Sequence, residues 1–487
     1  MPESINWLLW GRDVFKRALE AQKPVILYLT APWSGWGYIM DSTTFQEPEI
    51  VHLVQNCFLP VKINVDRYPH ISDRYHCGGF PSIVILSPEG HVIWEENYLS
   101  AQLMVVSLKK VLQIFKRGKL KKTFLKNCHN QAGHILPSKT QNKGFELEVT
   151  GAFSIIQKSF DDRYGGFVTG LSGGKFPYPE INDFLIRYLD FDPSSPALLM
   201  LTKTLDAMYY GELHDWDQGG FYRYCESVDW TVPHYEKMLE TNAGVLKNYL
   251  AAFHKTGTTR YLKGAQSIIN YLLDNLYDTH TGTFGGSQAG EIDFTSYTGW
   301  NSIAASSFIL AGEILENKAY LDIARGILDF LWDKCYRLGK GVSHFISHDR
   351  KEDVDLFTDQ VKFASSLIDA YECTGKKEYL QKAEVLAEII NKRYWLKEEG
   401  FSDIPVEGVK FGLLSISYIP FCENAEAAIV LVRLAGLSGK KNYASQAEEI
   451  LRRLSPMIQN NPVFAAKYGQ GILELHNCPE ARQCLNF

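Results

Sequence analysis

Two styles of hydrophobic patterning divide the chain. Over residues 1–115, short apolar runs alternate with amphipathic ones. Residues 13–22 carry helical spacing, and Lys23-Pro24 ends that run. VILYLT at 25–30 is an apolar run of strand length, as are LPVKINV at 59–65 and SIVIL at 82–86. Pro88-Glu89-Gly90 is a turn, 91–95 continue as a strand, and 103–115 return to helical spacing. This pattern predicts a small α/β domain over 1–115. Residues 116–144 are polar and basic with Gly and Pro. They read as a solvated linker, with a phosphate- or acid-binding arm as the alternative.

From residue 145 onward the periodicity is helical and repeats. Asn242, Asn301, Gln360 and Asn424 stand 59, 59 and 64 residues apart, and each is followed nineteen residues later by a tyrosine: Tyr261, Tyr320, Tyr379 and Tyr443. Gly257, Gly375 and Gly439 come fifteen residues after three of the amides. A shorter copy begins near Asn182. Each unit is a helix, a glycine stop, a second helix and a Gly/aromatic loop. Such hairpins bury their apolar faces only against neighbours. Residues 145–487, at ~60 residues per hairpin, give just under six. Pairing the last apolar helix (462–476) with the first (145–160) closes the set. The expected fold is therefore multidomain: a small α/β domain, then an all-α (α/α)6 toroid over 145–487.

Composition narrows the function. With 50 basic and 56 acidic residues the net charge is −6, which excludes a protein working mainly as a nucleic-acid backbone binder. No apolar run is long enough to span a membrane, and the N-terminus does not read as a signal peptide. The nine cysteines are scattered, without a C-x-x-C pair, as in a reducing cytoplasm. The pairs His76-Cys77 and Cys128-His129 lack metal spacing, so neither metal nor cofactor is expected. Gly170 to Lys175 fails the P-loop spacing, and no G-x-S-x-G elbow occurs. The 26 Tyr and 10 Trp fit a wide helical core or, alternatively, an aromatic-walled cavity.

The segment APWSGWG at 31–37 follows the first apolar strand and opens a helix, and Phe80-Pro81 precedes a later strand. This layout resembles thioredoxin, with Pro81 at the cis-proline position. The redox cysteines would fall at Ser34 and Gly37. Neither supplies a thiolate, so thiol exchange is not expected.

The strings GGFYRY at 219–224, WTVPHYEKMLETNA at 230–243, Trp300-Asn301 and Glu423-Asn424-Ala425, together with 45–66, 78–90 and GKFP at 174–177, carry a wider resemblance. The chain resembles the spermatogenesis-associated thioredoxin-domain proteins. Their C-H-W-C-H-V-M motif reads SGWGYIM here, and the paired aspartates after the Gly/Phe loop are missing near 286–290. The resemblance implies a toroid similar to six-hairpin glycosidases and N-acylglucosamine 2-epimerases. It implies no settled activity.

The repeated amides open inner helices that point one way, so they converge on one mouth, although a repeated helix cap explains them equally well. Arg223, Trp230, His234, Glu236 and Lys237 precede Asn242. Trp300 precedes Asn301, Asp359 precedes Gln360, Glu423 precedes Asn424, and Lys175 lies in the first loop. Mixed aromatic, acidic and amide groups suit a sugar site. His234 and Glu236 are the expected acid/base pair, with a structural network as the alternative. The remaining residues are the expected substrate contacts. The sequence thus predicts a carbohydrate-binding or carbohydrate-transforming toroid, epimerase-, isomerase- or glycosidase-like, beside a redox-inactive thioredoxin-like domain. The alternative is a non-catalytic scaffold whose thioredoxin-like domain binds a protein partner.

Overall fold

The structure is a computed structural model that describes residues 4–117, 145–169, 173–347, 354–408 and 410–479. It forms two compact units: Met1–Gly133 with Glu407–Tyr418, and His134–Val406 with Ile419–Phe487. The expected linker 116–144 lies, from residue 118, outside the described residues. No described helix is long and apolar enough to cross a membrane.

The first unit is built on four strands: β1 (Val25–Thr30), β2 (Leu59–Asn64), β3 (Ser82–Leu86) and β4 (Val92–Glu96). Their order in the sheet is β2-β1-β3-β4. β1 pairs parallel with β2 and antiparallel with β3, in the register Leu27 to Val61 and Leu27 to Val84. All six residues of β1 are buried, which is why its run is solidly apolar rather than alternating. Helices α1 (Arg12–Ala21), α2 (Gly35–Ser42), α3 (Pro48–Cys57), α4 (Pro69–Tyr75) and α5 (Ala101–Lys116) complete the thioredoxin-like layout. The Phe80-Pro81 bond is cis.

Residues 407–418 depart from the expected division. Their sequence position lies in the repeat region, yet they pack in the first unit. Phe411 stacks on Trp10 and contacts Phe15, while the Leu413 amide donates to Tyr75 Oη at 2.8 Å.

The second unit is the expected ring of hairpins. Its inner helices are α7 (Pro179–Phe191), α9 (Leu239–Thr256), α11 (Thr298–Ile314), α13 (Phe357–Thr374), α15 (Phe421–Ser438) and α17 (Pro462–Asn477). Each packs on the next, and α17 packs back on α7. The outer helices are α6 (Phe145–Ser159), α8 (Ala197–Tyr210), α10 (Thr259–Tyr271), α12 (Lys318–Phe330), α14 (Lys377–Tyr394) and α16 (Lys441–Leu454). α6 pairs with α17, so the first and last helices of the repeat region form the closing hairpin. Gly257, Gly375 and Gly439 end α9, α13 and α15 with φ of 66 to 71°, the left-handed stop that lets the chain reverse into the outer helix. Tyr249, Tyr261, Tyr271, Tyr394 and Tyr468 are buried in the interhelical core. The tyrosine surplus therefore reflects a wide helical core.

Candidate active site in the toroid lumen

The repeated amides are loop braces. Asn242 Oδ1 accepts from the Phe221 amide at 2.8 Å, and its Nδ2 donates to Phe221 O at 2.9 Å and Met238 O at 3.0 Å. Asn301 makes the same three bonds to Phe284 and Tyr297, and Asn424 makes them to Phe401 and Pro420. Gln360 does likewise with Val342 and Leu356. All four side chains are buried. Each pins the Gly/aromatic loop of one hairpin to the first turn of the next inner helix, using both its donor and its acceptor.

The two lysines form a second kind of brace. Lys175 Nζ donates to Asp161 Oδ2 and Gly165 O, both at 2.7 Å. Lys237 repeats this with Asp215 at 2.6 Å and Gly219 O at 3.0 Å. Burial opposes ionisation of Asp161 and Asp215, but the lysine and the backbone amides that each accepts outweigh it and hold both carboxyls below the ordinary range. Asp359 accepts from the Gly299 amide at 2.8 Å and meets His344 Nδ1 at 2.8 Å. Trp230 is buried, with φ of 65°, and donates to Tyr164 O. Trp300 packs on Tyr297. Glu423 lies in the first turn of α15, where its charge acts on Lys362.

Three of the expected residues do come together. Glu236 lies 3.4 Å from Arg223 and 3.7 Å from His234 Nδ1. His234 Nε2 is 2.6 Å from Glu226 and 2.9 Å from Tyr224 Oη. The His234 ring stacks on Tyr224, which stacks on Phe176. This cluster sits on the loop before α9.

None of the expected site residues lines the cavity. The inner helices enclose a lumen of about 530 Å³, and no aromatic side chain borders it. The aromatic side chains are used in the interhelical core and the loops. The wall carries instead seven carboxylates and five cations. Lys362 pairs with Glu240 at 2.6 Å, and Lys467 pairs with Glu426. Arg433 bridges Asp369 at 2.7 Å and Glu372 at 2.6 Å, while Arg187 meets Asp183 at 3.6 Å and Glu474 at 3.1 Å. Ser306 Oγ donates to Asp369 at 2.5 Å.

Two lumen residues stand outside these pairs. Among the described residues, the Lys247 ammonium has no ion-pair or hydrogen-bond partner, and the Glu180 carboxyl has no ion-pair partner and accepts only from its own backbone amide. Burial raises the Glu180 carboxyl above its ordinary range. Lys467 opposes that shift, and Glu240 and Glu426 reinforce it. For Asp183 and Asp369 burial is outweighed, chiefly by Arg187 and by Arg433, and both are held below the ordinary range. The same competition leaves Glu426 low, through Lys467 and Lys362. Carboxyls shifted in opposite directions therefore share a single cavity.

The first unit has its own candidate site at the degenerate turn. Ser34 caps α2 by accepting from the Gly37 amide at 3.1 Å. A Cβ at position 37 would lie 2.2 Å from Thr30 Oγ1, so the place of the second redox cysteine is sterically closed. Cys77 Sγ lies 2.6 Å from Asn97 Oδ1, and burial raises its thiol above the ordinary range. Trp36 and Tyr38 are exposed, and Trp36 contacts Tyr98.

Comparison with known proteins agrees with both units. Residues 1–134 match the Thioredox_DsbH family, described as "Protein of unknown function, DUF255". Human spermatogenesis-associated protein 20 is 29% identical over 311 residues, covering 58% of this chain and 39% of that protein. The chain thus spans less than two fifths of the length of the curated relatives it matches. Among solved structures, cellobiose 2-epimerase from Spirochaeta thermophila superimposes with a TM-score of 0.59 at 11% identity, over 70% of this chain and 96% of that one. A family 76 glycoside hydrolase (mannosidase) from Bacteroides thetaiotaomicron gives 0.52 at 14% identity, over 68% of this chain and 99% of that one. At these identities the likeness is one of fold. By sequence, then, the chain is similar to the spermatogenesis-associated thioredoxin-domain proteins, with a thioredoxin-like first unit and a second unit folded like the sugar epimerases and family 76 mannosidases.

Proposed function

We propose that the second unit binds and transforms a carbohydrate inside its lumen by proton transfer. One observation carries this reading: Glu180 lines the lumen beside Glu240 and Glu426 without an ion-pair partner among the described residues, and burial raises its carboxyl above the ordinary range. A neutral carboxyl can donate to a glycosidic or ring oxygen, while an ionised one accepts a proton from water or from a sugar carbon. The same pair of roles serves a glycosidase, an epimerase or an isomerase. Ser306, Ser365, Thr241 and Gln470 add uncharged groups suited to hydroxyls. The fold shared with sugar epimerases and mannosidases supports the choice of ligand.

A thermal-shift screen of mono- and disaccharides on the full chain tests this. A binder at ~100 Kd is expected to add about 2.7 kcal/mol of stability. Glu180→Gln should then retain binding and lose turnover. The loop cluster is the competing site, so His234→Ala and Glu236→Gln should leave sugar binding intact. If those two variants abolish it while Glu180→Gln does not affect turnover, the chemistry belongs to the loop.

For the first unit, the reading is a redox-inactive module that binds a protein partner. The exposed Trp36, Tyr38 and Tyr98 beside the closed turn favour it. Insulin-disulfide reduction with dithiothreitol should not exceed the uncatalysed rate. Turnover that Cys77→Ser removes would refute this.

A further inference from the structure

We infer that the sugar taken by the lumen carries one acidic group, a carboxylate or a phosphate, which docks on Lys247. The inference deepens the carbohydrate reading above and rests on it. It follows from how the lumen charges are matched. Six carboxylates already touch a cation: Asp183, Glu240, Asp369, Glu372, Glu426 and Glu474. Four cations, Arg187, Lys362, Arg433 and Lys467, are taken up by those contacts.

Lys247 is the cation left over, in the middle of α9 on the lumen wall. Its charge acts on Asp183, Asp369 and Glu426, yet none of these comes within ion-pair distance among the described residues. Each of the three is already held by another cation. The ammonium therefore lines the cavity with three donors and no partner within ion-pair or hydrogen-bond distance among the described residues. Glu180 does not balance it, because the two form no ion pair among the described residues.

The overall excess of carboxylates does not oppose an anion here. At contact distance one ammonium outweighs paired charges, whose fields largely cancel a few ångströms away. Glu180 stands in the first turn of α7, whereas Lys247 stands about two turns into α9, and both line the cavity. A simple inorganic anion would fill little of 530 Å³.

Calorimetric titration of the full chain with D-glucuronate, D-glucose 6-phosphate, D-glucose and D-glucosamine tests this at low ionic strength. One of the acidic sugars should bind about tenfold tighter than glucose, and the better of the two identifies carboxylate or phosphate. Lys247→Gln should erase that preference, and Lys247→Arg should keep it. Lys247→Arg, which keeps the charge that acts on Asp183, Asp369 and Glu426, should melt close to the wild type. Glucose or glucosamine binding as well as the acids would overturn the inference and leave the sugar reading standing. So would a preference that survives Lys247→Gln. If inorganic phosphate or acetate binds as tightly as its sugar and also needs Lys247, the anion site stands and the sugar reading falls. No binding by any of these at millimolar concentration overturns both.

Discussion

Glu180 illustrates how one side chain ties stability to chemistry. Its folded-state carboxyl titrates above the ordinary range because burial and two like charges disfavour the anion. The folded state therefore holds the proton more tightly than the unfolded chain. Its stabilising contribution is fully present below the ordinary carboxyl range and is lost as pH rises through the raised value. Glu180→Gln removes the titration. The variant should be more stable than wild type at pH 8 by more than at pH 5, in urea melts at both pH values, while any turnover is lost. Gly37 makes the opposite point. Gly37→Cys restores a thiol position but drives Cβ against Thr30 Oγ1. It should cost roughly 1–3 kcal/mol, and Thr30→Ala in the same chain should recover most of that. An unchanged urea midpoint for Gly37→Cys would mean that Thr30 yields freely and the turn is not closed.

At the scale of elements, the brace between loop and helix sets the hairpin repeat. Asn301→Ala leaves the Phe284 amide and carbonyl buried without partners and should destabilise by about 2–4 kcal/mol. Asn182 is the internal control. Its Nδ2 donates to Pro177 O and Asn248, but its Oδ1 holds no described partner, so Asn182→Ala should cost less in the same denaturation. Equal losses would show that the braces contribute no more than ordinary packing. The spacing of these amides was legible because the repeat is in the residues themselves. Their role was not, because an amide at a helix start suits a cap, a brace or a ligand equally. The lumen was hidden for a related reason. Charges at 180, 183 and 187, or at 362, 369 and 372, form a helical stripe. On a single helix such a stripe marks the solvent face. Only closure of the ring turns it inward, so the signal was present in the spacing while its meaning depended on the neighbours. Residues 407–418 escaped for want of any local signal, since their partners Trp10, Phe15 and Tyr75 are more than 300 residues away.

The whole molecule depends on the seam at which the last inner helix meets the first. Counting hairpins predicted that seam, and α17 does pack on both α6 and α7. What the count did not supply is how closely the helices approach. Gly469, in the middle of α17, faces Phe184 of α7, and a Cβ there would lie 2.4 Å from the Phe184 ring. In an isolated or open helix, replacing an interior glycine by alanine stabilises by roughly 0.5–1 kcal/mol, because the unfolded chain loses freedom. In a closed ring the same methyl must displace a buried aromatic that is itself packed against Tyr188, at about 1–3 kcal/mol. The two cases differ in sign, so Gly469→Ala reads the closure directly. We expect a lower melting temperature, with partial recovery when Phe184→Leu makes room. Gly326, on the outer helix α12, has nothing within 4 Å of its built Cβ, so Gly326→Ala should raise stability in the same protein. If Gly469→Ala raises it as well, α17 is not held against α7 in solution. The lumen that places Glu180 opposite Lys467 is then open on that side.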